Sequence, residues 1–268
     1  MDRLTETKKI RRIEGGKGSA CRDRVVVEAP LALSVNGEKL VTLLCTPEKQ
    51  KSLALGFLRS GGLLESMEDL LRLELNEEGT AVAVELKQDT GPVERLHCKG
   101  TITSGGGRGV FFSGPGEGLC LPPVPQGGPT MRAEEICSLM DSLEERALIF
   151  KATGGTHSAA LADAGGLIIS CEDIGRHNAV DKIIGECLLR GISLEGKALI
   201  CSGRLSSEIL LKAARLQLPL VISRAAPTTL SIELAETFQI TLIGFVRGRR
   251  MNIYTHPRRV QGAPAAPE

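Results

Sequence analysis

The chain has 268 residues, enough for one large domain or two modest ones, and its 42% hydrophobic content can supply a core. Lys plus Arg number 33 and Asp plus Glu 32, so the net charge is about +1, which argues against bulk nucleic-acid binding. Aromatic residues make up only 3%, which argues against a stacking platform for single-stranded nucleic acid.

No apolar run reaches the length of a membrane span, and the charged N-terminus lacks the apolar core of a signal peptide. We therefore expect a cytoplasmic protein with no membrane association. The eight cysteines are scattered and contain no CxxC pair, which is typical of free thiols in a reducing compartment.

The N-terminal part of the chain predicts a basic tail followed by a small α+β unit. Residues 1–22 are polar, and we expect them to be disordered. The stretch VVVEAPLALSVNGEKLVTLL predicts two strands about an Asn36-Gly37 turn, a strong hairpin signal. The α+β unit is assigned to residues 23–112.

One helix and a second strand pair complete this unit. TPEKQKSLALGFLRSGG predicts a helix capped by Thr46, with Pro47 at its first position and Gly61-Gly62 at its end. LLRLELNEEGTAVAVEL predicts two alternating strands about a Glu-Gly turn.

Residues 113–129 are rich in Gly and Pro, which predicts a linker or a mobile loop. The preceding stretch TSGGGRG resembles a phosphate-binding loop at first sight. It lacks the Lys-Ser/Thr pair of a P-loop and no clear helix follows it, so it is weak support for phosphate binding.

Residues 130–257 predict an α/β domain with the element order α-β-β-α-β-α-β-α-β-β, and residues 258–268 predict a disordered tail. The first helix carries Ile136, Leu139 and Leu143 on one stripe. Helices alternating with short apolar strands predict a mixed, partly parallel sheet covered on both faces. Ligands of such sheets bind beyond the carboxyl ends of the strands.

The densest polar cluster, CEDIGRHNAVDK, occupies one such strand-to-helix turn. Arg176 and His177 stand where a helix begins and where an anion is favoured, and Asp181 follows one turn later, where it could orient His177. The alternative is a structural turn, with Asp173 capping the helix and a solvated first turn.

Two further strand-to-helix turns repeat this pattern, CSGRLSSE with Arg204 and SRAAPTT with Arg224. Arginines at three equivalent turns indicate a site for a polyanion, since the guanidinium fork matches phosphate oxygens. The alternative is that all three lie on the solvated surface.

Two more segments carry weaker signals. GFVRGRRMNIYTHP places Arg247, Gly248, Arg249 and Arg250 between two strands, as a further phosphate contact or simply a basic hairpin tip. His157 begins a strand after two glycines, where a histidine is as compatible with a structural role as with a functional one.

The sequence lacks the motifs of a zinc deaminase and of a serine hydrolase. The H-x-E and P-C-x-x-C motifs of a zinc deaminase are absent, so we expect no metal site, and no G-x-S-x-G elbow surrounds the serines.

With EDIGRHNAVDKIIG, ICSGRLSSEILLKAA, GGTHSAAL and GFVRGRRMNIYTHP in this order, the chain resembles the formate dehydrogenase accessory protein family, the FdhD/NarQ family, from about residue 25 to residue 260. The resemblance implies an α/β (α+β) protein with a C-terminal cytidine-deaminase-like domain, a smaller N-terminal domain and a homodimeric state. It also implies a sulfur carrier (a sulfurtransferase) that is required for formate dehydrogenase activity. In the family, sulfur passes from a cysteine desulfurase to the molybdenum bis-guanine-dinucleotide cofactor before that cofactor enters the formate dehydrogenase catalytic subunit.

The resemblance also implies site residues. The family's cofactor-binding segment matches Phe245, Val246, Arg247, Gly248, Arg249 and Arg250. A cofactor with several phosphates gives Arg176, His177, Arg204, Arg224 and His157 a reason to lie near it.

One departure concerns the sulfur relay. The family uses a cysteine pair, S-G-C-G-x-C-G, where this chain has Gly106 and Gly109. Cys120 could take the role or could be an incidental thiol, and Cys171 and Cys201 are equally explained as small residues packing at strand ends. The alternative function is therefore a cofactor-binding chaperone that does not transfer sulfur.

Overall fold

The computed structural model describes residues 3–87, 121–126 and 128–263. Their strands, in chain order, are β1 Thr5–Glu14, β2 Lys17–Val26, β3 Ala29–Val35, β4 Glu38–Cys45, β5 Leu70–Leu75, β6 Ala81–Leu86, β7 Met131–Arg132, β8 His157–Asp163, β9 Gly166–Asp173, β10 Ala198–Cys201, β11 Leu220–Ser223, β12 Thr241–Arg247, β13 Arg250–Ile253 and β14 Val260–Gln261. The helices are α1 Gln50–Gly61, α2 Ala133–Arg146, α3 Leu148–Thr153, α4 Arg176–Arg190, α5 Ser207–Arg215 and α6 Thr229–Thr237, with short 3-10 turns at Met67–Asp69 and Pro257–Arg259.

The larger sheet has six strands in the order β13-β12-β11-β10-β8-β9. Strands β10, β11 and β12 run parallel to one another, and the other pairings are antiparallel. The predicted mixed sheet and its α-β-β-α-β-α-β-α-β-β order are confirmed, with the first helix divided into α2 and α3 at Ala147.

Two hydrophobic cores sandwich this sheet, because alternate residues of each strand point to opposite faces. On one face, Ala198 and Ile200 of β10 pack with α2, whose predicted stripe is buried. On the other, Leu199 and Cys201 pack with α4 and α5.

The smaller sheet has the order β4-β3-β6-β5, and α1 covers one of its faces through a third core. The Asn36-Gly37 hairpin and the second strand pair are confirmed. The predicted cap is wrong: α1 begins at Gln50 after a left-handed Lys49, and Thr46 instead donates to Asp173 of the other sheet. A local Thr-Pro pattern cannot show that the buried carboxylate of Asp173 competes for this hydroxyl.

Two glycines let α1 and α4 cross in close contact. A Cβ at Gly56 would lie 1.8 Å from the backbone oxygen of Asp181, and one at Gly185 would lie 1.8 Å from that of Ser52. Neither position has room for a side chain, so the backbones themselves touch. The two sheets are thereby joined through a helix pair rather than through a flexible connection.

The expected disordered tail over residues 1–22 differs from the structure, in which β1 and β2 form an antiparallel hairpin about Gly15 and Gly16, both with positive φ. Its residues are almost all exposed, so it has no hydrophobic alternation for a sequence pattern to detect.

Residues 258–263 also differ from the expected tail, since β14 pairs with β7, and the remainder of that tail lies outside the described residues. Arg259 is buried there and donates to the carbonyl oxygens of Gln239 and Pro125. In the predicted 113–129 linker, residues 121–126 are described, and Val124 is buried with its N–H donating to Phe238. The rest of that linker apart from residues 128–129 lies outside the described residues.

Candidate anion-binding site

One edge of the six-stranded sheet collects most of the predicted site residues. Strands β10, β11 and β12 end there, β9 ends there and β8 begins there. Backbone bonds fasten neighbouring loops together: Leu205 donates to Ala226 at 3.0 Å, Thr228 donates to Leu205 at 3.1 Å, and Arg224 donates to Cys201 at 3.2 Å. The turns that carry the arginines are therefore held in a fixed arrangement.

Arg176, the first residue of α4, has the least satisfied side chain at this edge. Its Nε and Nη2 atoms are buried and have no hydrogen-bond partner among the described residues. Burial, and then the positive charge of Arg204, lower the pKa of Arg176, while Glu208 opposes that shift. Buried donors of a cation normally have acceptors, so this guanidinium is arranged for an acceptor that the described chain does not supply.

His157 and Arg176 both approach Gly203, where the absence of a side chain leaves room for them. A Cβ on Gly203 would come within 3.1 Å of both the Arg176 Cβ and the His157 Nδ1 atom. Burial, followed by the charges of Arg176 and His177, lowers the pKa of His157, with Asp173 opposing. The structure thus brings together the residues predicted from three different segments.

His177 is oriented by a residue other than the predicted one. Its Nε2 atom lies 2.7 Å from Oε2 of Glu208 and 3.2 Å from Oγ of Ser206, both at the start of α5. Asp181 instead pairs with Lys212 at 2.5 Å and accepts from Ser60 at 2.8 Å. The prediction that Asp181 orients His177 is therefore wrong, because on α4 that carboxylate is directed toward α5 and α1.

Arg224 and Arg247 form the other half of this edge. Arg224 pairs with Glu144 of α2 at 2.6 Å, and Arg247 Nε donates to the Arg224 carbonyl at 3.4 Å. Phe245 has a positive φ of 54° at an irregularity in β12, and its ring lies 5.9 Å from the Arg247 guanidinium carbon. A non-glycine residue held in the left-handed region at a bulge is a common mark of a functional position.

The other predicted site residues between positions 245 and 250 lie either in the core or on the surface. Val246 is fully buried in the core under α2, so its side chain cannot contact a ligand. Arg247, Gly248, Arg249 and Arg250 are exposed at the β12–β13 turn, where Gly248 has a φ of 57°.

A cleft of about 540 Å³ connects the two halves of the edge. Its polar lining includes His157, Ser158, Ser202 and Arg224. Met140, Leu143 and Phe150 supply an apolar wall from α2 and α3. A cleft of this size with a few convergent polar groups is typical of a small-molecule site.

The smaller-sheet unit helps to hold the turn that carries Arg176. Asp173 is fully buried, and its Oδ1 accepts from the Gly175 N–H at 2.8 Å and from Asn178 at 2.9 Å. Its Oδ2 accepts from both the N–H and the hydroxyl of Thr46 at 3.0 Å and pairs with Lys182 at 2.7 Å. Oδ1 therefore holds the turn and the start of α4 together, and Oδ2 connects the turn to Thr46 and Lys182.

Sequence reasoning missed Glu208, Ser206 and Thr46 as parts of the site. An acidic residue in the first turn of a helix has an ordinary explanation as a partner of the helix dipole, so Glu208 gave no separate signal. Thr46 is 127 residues away from Asp173 along the chain, and only the folded structure relates them.

Five of the six described cysteines, all except Cys21, are poorly suited to carry sulfur. Burial raises the pKa of Cys45 to about 11 and those of Cys187 and Cys201 to about 12. Burial also raises the pKa values of Cys171 and Cys137. Thiols of this kind stay protonated at neutral pH, whereas the thiolate is the reactive form. Cys120, Gly106 and Gly109 lie outside the described residues.

Within residues 3–87, 121–126 and 128–263, no cluster of three or more His, Cys, Asp or Glu side chains is arranged to hold a metal ion. In the same ranges, no helix is both long and apolar enough to cross a membrane. The fold and the edge together define an α/β protein with a cluster of cationic side chains at one edge of its larger sheet.

Comparison with known proteins gives the family. The FdhD/NarQ family model matches residues 26–261. The sulfur carrier protein FdhD of Bacillus subtilis (strain 168) is 39% identical over 262 residues, covering 97% of this chain and 99% of its own. That of Bacillus pumilus (strain SAFR-032) is 41% identical over 253 residues, covering 94% and 95%.

A solved structure also resembles this chain in fold. A crystal structure provisionally described as a formate dehydrogenase accessory protein from Desulfotalea psychrophila superposes with a TM-score of 0.78 and 25% identity, covering 96% of this chain and 99% of that one. The chain belongs to the FdhD/NarQ family, which confirms the resemblance seen in its motifs.

Proposed function

We propose that this protein acts in the maturation of formate dehydrogenase in the cytoplasm. It binds the molybdenum bis-guanine-dinucleotide cofactor as cargo and passes to it sulfur received from a cysteine desulfurase. The loaded cofactor then goes to the formate dehydrogenase catalytic subunit. Family membership and the names of the relatives support the role in maturation.

The observation that carries cofactor binding is the Arg176 guanidinium, with two buried donors that lack partners among the described residues. A phosphate or pyrophosphate oxygen would accept from these donors and offset the positive charges of Arg176 and Arg204. The residues present therefore fit an anionic ligand. The neighbouring cleft of about 540 Å³ has room for part of a dinucleotide.

The binding test uses GDP as the probe, because it carries the guanine, ribose and pyrophosphate of the proposed cargo. We expect a saturable calorimetric titration that weakens when Arg247, Arg249 and Arg250 are changed together to Ala. Guanosine, which lacks only the pyrophosphate, serves as the matched probe, and it should bind much more weakly. Absence of GDP binding by the full chain would contradict the proposal.

The sulfur step is assigned to Cys120, the thiol of the Gly/Pro-rich segment. Its thiolate would attack the outer sulfur of the desulfurase persulfide. A new S–S bond then forms on Cys120 while the donor's S–S bond breaks and the donor leaves as a thiolate. The raised pKa values of the buried cysteines support looking for the carrier at another cysteine of the chain.

Mass spectrometry after incubation with a cysteine desulfurase and cysteine tests this step. We expect a mass increase of one sulfur on the Cys120 peptide, and none there after Cys120→Ala. If no cysteine is modified while GDP still binds, the protein is a cofactor-binding chaperone without sulfur transfer, as the Gly106 and Gly109 departures suggest. If neither occurs, a scaffold for enzyme assembly is the remaining function.

A further inference from the structure

Helix α3 forms part of the wall of the cleft but has little apolar packing of its own. Of the six residues described in this helix, Ile149 alone is buried. Leu148 and Phe150 are 54% and 48% exposed. Phe150 lines the cleft, whereas Leu148 borders a second, smaller pocket. Packing against the core therefore does little to fix the position of the Phe150 ring.

The carboxylate of Glu172, near the end of β9, holds the start of α3 by hydrogen bonds. Its Oε2 accepts from the N–H of Ile149 and its Oε1 from the N–H of Phe150, both at 2.8 Å. These N–H groups belong to the first turn of the helix, which has no acceptors of its own and where a negative charge is favoured. Oε1 also accepts from the hydroxyl of Thr156 at 2.8 Å. One side chain therefore fixes both the start of α3 and the residue that leads from α3 into β8.

The backbone of Glu172 is itself fixed by the buried network beneath the site. Its carbonyl oxygen accepts from Lys182 Nζ at 3.2 Å and from Thr46 Oγ1 at 3.4 Å. The same two groups bind the carboxylate of Asp173, which holds the turn that carries Arg176. Because Glu172 and Asp173 are neighbours in β9, the α3 wall and the Arg176 turn are fixed relative to each other.

The cleft offers a ligand two kinds of surface. The Phe150 ring belongs to its apolar wall, and His157 and Arg224 belong to its polar lining. An inorganic anion or a sugar phosphate would use only the polar lining. A nucleotide would use both, since it combines phosphates with a flat base whose π-face stacks on an aromatic ring.

The position of Phe150 differs from that of other aromatic residues in this chain, which has six Phe, one Tyr and no Trp. Phe57 and Phe238 pack in hydrophobic cores. Phe150 lies half exposed at the cleft on a helix that a carboxylate holds in place. A scarce aromatic ring in such a place is suited to contact with a ligand.

We propose that Phe150 is the platform on which the purine base of the guanine nucleotide stacks, and that Glu172 is the positioning residue that holds this platform through α3. The inference rests on the proposed function, and it assigns the base end of the ligand, whereas Arg176 is assigned to the phosphates. Every base has a π-face, so the platform contributes affinity for a base rather than selection among purines. Glu172 does not contact the ligand and acts by fixing α3.

Calorimetric titration of the full-length protein with two probes tests the platform. GDP carries the base, and inorganic pyrophosphate lacks it. Phe150→Ala should lower GDP affinity about 5- to 100-fold, the range for loss of base–aromatic stacking, and should leave pyrophosphate affinity unchanged. Leu148→Ala is the matched control, because it removes an exposed apolar side chain of the same helix outside the cleft and should change neither affinity.

Glu172→Gln tests the positioning role. It keeps the size of the side chain and removes the charge and one acceptor oxygen, so α3 should lose part of its attachment. GDP affinity should fall toward that of Phe150→Ala. The double variant should bind GDP no more weakly than Phe150→Ala alone, because without the ring there is nothing left to position.

Phe150→Trp adds a spectroscopic measurement, since the chain has no other tryptophan. A base stacked on the indole should quench its fluorescence, so we expect saturable quenching by GDP and none by pyrophosphate. Adding Glu172→Gln to this variant should reduce the quenching at saturating GDP. A residue with a general structural role would not change quenching by the base alone.

Several outcomes would overturn the proposal. Equal GDP affinities for wild type and Phe150→Ala would remove the ring from the site and leave the proposed function intact. Equal losses of GDP and pyrophosphate affinity would make α3 a structural wall without a base platform. Additive losses in the double variant would make Glu172 a structural residue. A wild type that does not bind GDP would overturn the proposed function as well.

Discussion

Two cations on helix α4, the buried Lys182 and the half-buried Arg176, differ in their hydrogen-bond partners. Lys182 is fully buried and pairs with Asp173 at 2.7 Å, and it also donates to the Thr46 hydroxyl at 2.6 Å and to the Glu172 carbonyl at 3.2 Å. Arg176 has buried donors without partners and positively charged neighbours. The first group stabilises the fold, and we propose that the second is kept for a ligand at some cost in stability.

The largest expected effect on stability comes from replacing Lys182, the cation whose ammonium group has partners. Lys182→Met removes one partner of a fully buried ion pair and leaves the Asp173 carboxylate without its counter-charge, so we expect a loss of about 3–5 kcal/mol in unfolding free energy. Urea denaturation followed by circular dichroism measures it. Lys51→Met is the control, because Lys51 is exposed on α1 and its change should cost under about 0.5 kcal/mol. A loss below about 1 kcal/mol for Lys182→Met would mean that the pair is not structural.

Replacing Arg176, whose buried donors lack partners among the described residues, should not lower the unfolding free energy. Arg176→Met removes buried donors that lack partners, so without ligand we expect the unfolding free energy to stay unchanged or to rise by about 1 kcal/mol. GDP affinity should fall about 10- to 100-fold, the value of a charged hydrogen bond of about 1.5–3 kcal/mol. Denaturation and calorimetric titration of the same sample separate the two effects. If Arg176→Met destabilised the protein as strongly as Lys182→Met, Arg176 would be a structural residue.

A smaller effect is expected at Thr46, which connects the smaller sheet to the turn that precedes these two cations. Thr46→Val keeps the shape and removes the hydroxyl that donates to Asp173 and accepts from Lys182, at a cost of about 1–3 kcal/mol. GDP affinity should fall several-fold because the Arg176 turn loosens. Thr46→Ser is the matched control, since it restores the hydroxyl and should restore both measurements. Equal affinities for the Val and Ser variants would remove Thr46 from the support of the site.

Thr46 also shows where sequence reasoning reaches its limit. The periodicity of α2 and the alternation of β5 and β6 were predictable, because local apolar patterns determine which face of an element is buried. The arginine-bearing turns could be placed at one edge, because the carboxyl ends of parallel strands meet there.

Partners distant along the chain could not be predicted in this way. Thr46 with Asp173 and Glu208 with His177 meet only after the two sheets and helices are assembled. The β1–β2 hairpin has no apolar alternation from which its strands could be predicted. The burial of Arg259 depends on carbonyl oxygens from two other segments of the chain.

The smallest expected effect concerns His157, which lies on the same edge of the sheet as Arg176, and the measured quantity is proton uptake on ligand binding. In the free protein, burial and the charges of Arg176 and His177 lower the pKa of His157, which favours the neutral ring. An anion beside Arg176 offsets those charges and favours the protonated ring, so GDP binding near pH 6 should take up a fraction of a proton. Affinity should therefore rise as the pH falls below about 6.5, and the uptake should vanish near pH 8.

Calorimetry at pH 6 in buffers of different ionisation enthalpy measures this uptake. Because the GDP phosphate titrates in the same range, the quantity of interest is the difference between wild type and His157→Asn. A positive difference means that the bound anion reaches the Arg176–His157 pair through the notch left by Gly203. Identical uptake in both proteins would place the phosphate away from His157, nearer the exposed arginines of the β12–β13 turn, and Arg176 would then need another acceptor.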